Sequence, residues 1–328
     1  MRWGIIGSGT IVTQFVNDTR QLNDTELAAL YSRSAEKAAR FAAQHGIGKA
    51  YASLQEMLAD STIENIYIGV PNNLHLDYVL QCVAAGKNVL CEKPMGINQT
   101  QVQTMLQAAK QNHVLLMEGM WTRFFPVMHT LRGWFADGTL GNLRAANISL
   151  GYNAIAAGET ATWRFDLKSG FGALMDMGVY GVHFALDLCG GAAPTTIQGA
   201  AHIANGLDYY NSYLLNFGGK LISASSSIVN DTDLTAKIYT DKGEVEIGAP
   251  WWYPTDISLS LISGEKRTIR FPREADGLHY EVQVFEQCAQ RGLTECPLSS
   301  HKNSLQAIAI MDELRKQWHV RYPQDDQA

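Results

Sequence analysis

At 328 residues the chain exceeds the usual size of a single core and predicts two domains, each able to bury a substantial interior. Its 46% hydrophobic and 18% charged residues are the composition of a globular protein rather than a disordered or fibrous one. With 26 basic and 32 acidic residues the formal net charge is −6, and no Lys/Arg run resembles a phosphate-tracking patch, which argues against nucleic acid as a partner.

Met1-Arg2-Trp3 passes almost directly into Gly4-Ile-Ile-Gly7. That leaves no room for a secretory leader, and no apolar run approaches membrane-spanning length, so a cytoplasmic protein with no membrane partner is expected. Short apolar runs then alternate with helical patterns. Strands are predicted at Trp3–Ile6, Glu26–Tyr31, Asn65–Val70, Asn88–Cys91 and Val114–Glu118, with helices from about Ile11 and over Ala35–Gln44, Leu74–Ala85 and Thr100–Gln111. This alternation implies βαβ units around a parallel sheet. Val102, Met105, Leu106 and Ala109 form the stripe of a helix that faces such a sheet.

After about residue 123 the pattern changes. Leu143–Leu150, Thr196–Ile203, Tyr209–Phe217, Lys220–Ile228, Leu234–Thr240, Glu244–Ile247, Ile257–Ile262 and Arg267–Phe271 read as strands, with hairpin turns at Asp241-Lys-Gly243 and Ser263-Gly264. Helices are expected over Ala173–Leu188, Leu278–Ala289 and Ser304–Trp318. The fold class is therefore α/β: a Rossmann dinucleotide-binding domain over 1–122, then an α/β domain with a large, mostly antiparallel open sheet over 123–328. The five cysteines are widely spaced and read as reduced core thiols, and neither they nor the nine histidines have metal-ligand spacing, so no metal is expected.

Gly7-Ser8-Gly9 follows the first strand and opens a helix, so the amides of Gly7, Ser8, Gly9, Thr10 and Ile11 can receive a pyrophosphate. The third glycine position of that fingerprint holds Val12. The second strand ends in Ser32-Arg33-Ser34, with no acid to bind a ribose 2′-hydroxyl. A guanidinium and two hydroxyls suit a 2′-phosphate and point to NADP, with NAD possible; the alternative is a surface arginine beside a helix cap. Pro71 and Asn72 end the third strand in the same crevice, and His75 follows them as either a cofactor-side or a half-buried histidine. Lys87-Asn-Val-Leu-Cys91 runs into Glu92-Lys93-Pro94, which puts one ammonium at a strand's carboxyl end, where ligands of open α/β sheets bind. Far downstream, Asp176, Tyr180 and His183 stand at i, i+4, i+7 in an otherwise apolar helix, a polar stripe that either faces a cleft or forms a satisfied core network. Trp121, Arg123 and Phe124, and later Trp163 and Arg164, can line a substrate pocket; Trp121 and Phe124 can equally pack a domain junction.

Gly4-Ile-Ile-Gly7-Ser-Gly9, Val70-Pro71-Asn72, Gly86-Lys-Asn-Val-Leu-Cys-Glu92-Lys93-Pro94 and Gly172-Ala-Leu-Met-Asp176-Met-Gly178-Val-Tyr180 together resemble the Gfo/Idh/MocA family of NAD(P)-dependent oxidoreductases, over nearly the whole length. Within it, Met117-Glu118-Gly-Met-Trp121-Thr-Arg123-Phe-Phe-Pro126 is similar to dimeric dihydrodiol dehydrogenases and NADP-dependent D-xylose dehydrogenases. Val12, Phe171 and His183 depart from the family pattern. The resemblance implies a Rossmann domain, a second domain with an open sheet, and a small-molecule substrate site between them; on that sheet the alternation of Leu214, Asn216, Leu221 and Ser223 implies two covered faces or one half-apolar exposed one, and so a homodimer or dimer of dimers. It also implies hydride exchange between NADP(H) and a secondary alcohol or carbonyl of a sugar, cyclic polyol or trans-dihydrodiol. In that chemistry Tyr180 serves as base, with Lys93 favouring its phenolate and polarising the developing carbonyl. Asp176 orients a substrate hydroxyl or the lysine, and Glu92 fixes the strand end. The alternative is a catalytically silent NADP-binding regulator of the same fold; retention of Lys93 and Tyr180 favours the enzyme.

Overall fold

The computed structural model describes residues 1–158, 163–273 and 275–326, except for the Trp163 side chain. The chain groups into two units, Met1–Trp121 with Glu274–Ser304, and Thr122–Arg273 with Leu305–Ala328. Among the described residues no helix is long and apolar enough to cross a membrane.

In the first unit, strands β1 (Arg2–Ile6), β2 (Glu26–Tyr31), β3 (Lys49–Tyr51), β4 (Asn65–Ile68), β5 (Asn88–Glu92) and β6 (Leu116–Gly119) form a sheet in the order β3-β2-β1-β4-β5-β6. Every pair is parallel. Helices α1 (Thr10–Thr19), α2 (Ala35–Gln44), α3 (Leu54–Ala59), α4 (His75–Ala84) and α5 (Gln99–Gln111) make the crossovers. Ile5, Ile66, Tyr67, Val89 and Leu90 are fully buried, the unalternating pattern of a parallel sheet covered on both faces. β3 and α3 escape the sequence reading because three and six residues are too few to display a period.

The returning segment closes this unit. Asp18, near the end of α1, accepts the backbone amides of Asp276 (2.9 Å) and Leu278 (2.7 Å), which caps the helix Leu278–Gln290. Trp3 packs on Phe285 of that helix at 5.0 Å and donates to Glu286 at 2.8 Å.

The second unit contains α6 (Pro126–Ala136), β7 (Leu143–Gly151) and a π-helical turn Leu174–Gly178 that leads into α7 (Val179–Leu188). Strands β8 (Thr196–Ala204), β9 (Leu207–Phe217), β10 (Lys220–Ser227), β11 (Ala236–Thr240), β12 (Gly243–Ile247), β13 (Asp256–Leu261) and β14 (Lys266–Arg270) follow. They are succeeded by α8, the returning helix Leu278–Gln290, and α9 (His301–Gln317). The sheet order is β14-β13-β12-β11-β7-β10-β9-β8, antiparallel except for β7 against β10. Tyr213, Leu215, Ile222 and Ala224 are buried, while Tyr210, Leu214 and Leu221 between them are exposed, so one face is covered and the other open. At one edge β14 is Lys-Arg-Thr-Ile-Arg. At the other, Gln317 of α9 accepts the Gly199 amide (3.1 Å) and donates to the Ile197 carbonyl (2.9 Å) of β8. α6 was not expected, although Pro126 at its first turn is a helix-start signal. The expected helix over 173–188 begins as the wider π turn.

Val12 fits its glycine position because space is made across the sheet. A Cβ on Gly69, just after β4, would lie 2.7 Å from Val12 Cγ2 and 3.0 Å from Tyr67 Cε1. Gly69→Ala is therefore expected to destabilise the protein by about 1–3 kcal/mol. A urea-unfolding cycle with Val12→Ala should show a coupling of about 0.5–3 kcal/mol; strict additivity would show that the two positions do not compete for one space.

Candidate active site

The strand order of the first sheet reverses between β1 and β4, and the turns that leave those strands flank the crevice where such sheets bind ligands. Gly7 has φ +121°, and a Cβ there would lie 2.4 Å from the Gly69 carbonyl oxygen, so only glycine suits this turn. α1 starts from Gly9 with no side-chain cap, and a Cβ at Gly9 would meet nothing within 4 Å. The start of α1 thus has open space beside Gly9, and the first amides of a helix lack intrahelical partners, a combination that fits a pyrophosphate. Ser8 donates to Ser32 at 3.3 Å, which draws the end of β2 to the same turn. Arg33 is exposed, and Ser34 caps α2 by accepting the Lys37 amide at 3.3 Å. Thr10 is exposed, Ile11 and Pro71 are half-buried, and Asn72 is buried at the start of a 3-10 turn, Asn72–Leu74.

Lys93 is half-buried directly after β5, and its peptide bond to Pro94 is cis. Buried side chains fix the backbone around it. The Tyr67 hydroxyl donates to Glu92 Oε1 at 2.7 Å, and Glu92 Oε2 accepts the Lys93 amide at 3.2 Å. Glu118 Oε1 accepts the Met95 amide at 2.9 Å, and its other oxygen accepts Ser304. His75 is fully buried, with Nδ1 3.1 Å from the Pro94 carbonyl and Nε2 2.9 Å from that of Val70. Burial lowers its pKa against the pull of those carbonyls, and the ring sits between the two loops, where a neutral imidazole donates to one carbonyl at a time. His75 therefore ties backbone to backbone rather than facing a cofactor.

Glu281 of α8 is fully buried, and neither of its oxygens has a hydrogen-bond partner among the described residues. Burial, then the Glu92 and Asp18 carboxylates, push its pKa well above the usual range. Burial likewise raises Glu92, against the Tyr67 hydroxyl and Lys93. A carboxyl whose folded pKa is raised binds its proton more tightly folded than unfolded. Its stability contribution is therefore lost as pH climbs past the unfolded value of about 4.3. Glu281→Gln should gain thermal stability over wild type progressively from about pH 4.5 to 8; parallel melting curves across that range would refute a buried acid here.

In the second unit, Arg164 Nε is 3.2 Å from Asp176 Oδ2, and the guanidinium lies 5.9 Å from the Tyr152 ring centre. Asp176 sits in the π turn and Tyr180 in the first turn of α7, 5% and 8% exposed. A π turn takes in one more residue than an α turn, which brings residues four apart closer to one line along the helix. Arg164 is thus paired with Asp176 of the π turn, and Tyr180 follows one turn later at the start of α7.

The other expected pocket residues are disposed differently. Arg123 is 1% exposed, and its guanidinium grips Asp187 of α7, with Nε 3.1 Å from Oδ2 and Nη2 on Oδ1. Arg132 joins them, donating to Asp187 Oδ2 at 3.4 Å and to the Arg123 carbonyl at 2.8 Å. A buried guanidinium committed to a carboxylate is a structural pair, not a substrate donor. Phe124 and His183 are each 1% exposed, Trp121 is half-buried, and the Trp163 side chain lies outside the described residues. Sequence reasoning missed Tyr67, Asp187, Gly69 and the anchoring role of Glu118. Of these, only Glu118 carries a signal, a carboxylate at the end of the apolar run Val114–Met117.

Comparisons with known proteins identify the family and the fold. Residues 1–120 match a family model described as the oxidoreductase family, NAD-binding Rossmann fold, and residues 128–246 match the GFO/IDH/MocA C-terminal domain. The chain is 35% identical over 338 aligned positions to trans-1,2-dihydrobenzene-1,2-diol dehydrogenase of Homo sapiens, with 99% of each chain covered. In fold it is similar to aldose-aldose oxidoreductase from Caulobacter crescentus, crystallised with glycerol (TM-score 0.87, 22% identity, 96% of each chain). It is also similar to a 3-ketoreductase from Actinomadura kijaniata, crystallised with NADP and TDP-benzene (TM-score 0.83, 21% identity, 96% of this chain and 97% of that one).

Proposed function

The chain belongs to the GFO/IDH/MocA oxidoreductase family, and from that premise we propose an NADP-dependent dehydrogenase acting on a trans-dihydrodiol, sugar or cyclic polyol. The full-length likeness to a trans-dihydrodiol dehydrogenase carries the substrate class. The amides that open α1 and the glycine contact at Gly7 suit the pyrophosphate, while Ser32, Arg33 and Ser34 suit a 2′-phosphate. When bound, the nicotinamide exchanges hydride with the substrate carbon. Lys93 would donate to the substrate oxygen and favour its anionic form, its place set by the Tyr67–Glu92 and Glu118 anchors. Tyr180 would remove the hydroxyl proton in oxidation and return it in reduction. Asp176, paired with Arg164, would orient a neighbouring hydroxyl.

A cytoplasmic location belongs to the same reading, supported by five cysteines that are all free and buried. So does a homodimer, or a dimer of such dimers, formed through the open face of the second sheet. There Tyr210, Leu214 and Leu221 are 47%, 37% and 42% exposed on adjacent strands. Light scattering at micromolar concentration should give a multiple of 36.1 kDa, and the monomer mass would refute the assembly.

The decisive experiment screens benzene trans-dihydrodiol, D-xylose and cyclic polyols with NADP and NAD, using wild type and three variants. Arg33→Ala should weaken NADP selectively by about 1.5–3 kcal/mol. Lys93→Met and Tyr180→Phe should lower turnover about 10²-fold or more with cofactor affinity near normal. NAD binding as tight as NADP would overturn the cofactor preference, and near-wild-type turnover in either catalytic variant would overturn that residue's role. Tight NADP binding without turnover on any substrate would mark a regulator instead.

A further inference from the structure

The π turn Leu174–Gly178 is gripped at both ends by side chains of the sheet beneath it. At its start, Asp208 Oδ2 of β9 accepts the Leu174 amide at 2.7 Å, a helix-end donor with no partner of its own inside the helix. The same oxygen accepts Asn211 Nδ2 at 2.7 Å, and Asn211 Oδ1 accepts the Ser226 hydroxyl of β10 at 3.0 Å. At the end of the turn, the Tyr213 hydroxyl donates to the Gly178 carbonyl at 2.9 Å. Asp208, Asn211, Tyr213 and Ser226 are all buried.

Two further features show that this arrangement is built into the strand. Asp208 and Tyr213 are five residues apart and would face opposite sides of a regular strand. The register between β8 and β9 slips there: His202 pairs with Tyr210 but Ile203 with Asp208, so Tyr209 is extra and Asp208 is turned to the face of Asn211 and Tyr213. Glycines then let the chain descend onto these groups. A Cβ on Gly172, whose φ is +131°, would lie 2.2 Å from Asp208 Oδ1, and one on Gly178 would lie 2.9 Å from Ser226 Oγ. Behind the turn, Tyr322 donates to the Phe171 carbonyl, and Arg315 stacks over the Tyr322 ring at 4.5 Å.

A π turn is an irregularity that a helix can lose by slipping one residue, so something must hold it. The geometry points to Asp208 and Tyr213 as positioning residues that clamp the wide turn at both ends and so set the stance of Asp176 and Tyr180 in the reaction. This rests on the catalytic reading of Tyr180 and Asp176 given above. Burial pushes the Asp208 carboxyl up to about 7, so a neutral group of the same shape suits the position. In Asp208→Asn the amide oxygen can still accept from Leu174 and Asn211.

The test uses the full chain with NADP and the dihydrodiol and xylose substrates. Asp208→Ala and Tyr213→Phe should each lower kcat at least about tenfold, with the Kd for NADP within about twofold of wild type. Asp208→Asn should recover most of the Asp208→Ala loss. Tyr213→Phe should also displace the pH limb of kcat, which loss of general stability would not do. A crystal structure of Tyr213→Phe should show the turn at 174–178 in a changed register. If Asp208→Ala does not fold, Tyr213→Phe, which lacks a single hydroxyl, decides. Wild-type kcat and an unchanged turn in Tyr213→Phe, with Tyr180→Phe inactive, would overturn the clamp alone. Full turnover in Tyr180→Phe would overturn the catalytic reading and the clamp with it.

Discussion

The first unit depends on a place where two main chains meet with no side chain between them. The turn after β1 and the end of β4 come together at Gly7 and Gly69, close enough that a single methyl group on either would strike the other segment or its neighbours. Because the parallel sheet is buried on both faces, that contact cannot relax sideways. It sets the direction in which α1 departs, and so where its free amides point. Val12 occupies the volume that the missing side chain at Gly69 leaves, so a departure at one position of the glycine fingerprint is matched by an omission 57 residues away in the chain.

The loop that carries Lys93 follows a different principle. Its backbone is held by carboxylates drawn from the protein interior: Glu92 beneath it and Glu118 from the neighbouring strand, with His75 bridging to the loop after β4. Satisfied buried acids are rigid anchors, since each bond lost would leave a desolvated oxygen. Glu281 adds a further acid beside this group with no hydrogen bond among the described residues to offset its burial. The main chain that carries the lysine is therefore placed by Glu92 and Glu118.

Periodicity and turn chemistry made much of this architecture legible. The alternation of apolar runs and amphipathic helices, the hairpins at Gly243 and Gly264, and a lysine at the end of β5 were all visible because each depends on residues close together in sequence. What stayed hidden depends on distant partners. Arg123 has the composition of a ligand-binding residue until Asp187, 64 positions on, is found beside it. His75 reads as a site histidine until two loops close around its ring. The widening of the helix before Tyr180 leaves no trace in its apolar pattern, since it is imposed from below by Asp208 and Tyr213. Nor does any local signal announce that the helix Leu278–Gln290 rejoins the first unit, where its cap comes from Asp18.

The two borders of the eight-stranded sheet are closed by unlike means. Along β14, Lys266, Arg267 and Arg270 line the margin with positive charge, while along β8 the amide side chain of Gln317 imitates a peptide group and occupies the backbone positions a further strand would use. Neither border is a template for another chain, so strand-by-strand growth into fibres is discouraged even though the broad face carries exposed apolar residues. A dimer joined through that face, as proposed above, would set one broad surface against its twin and so use up the apolar area it was built on, where a free strand edge would go on recruiting chains.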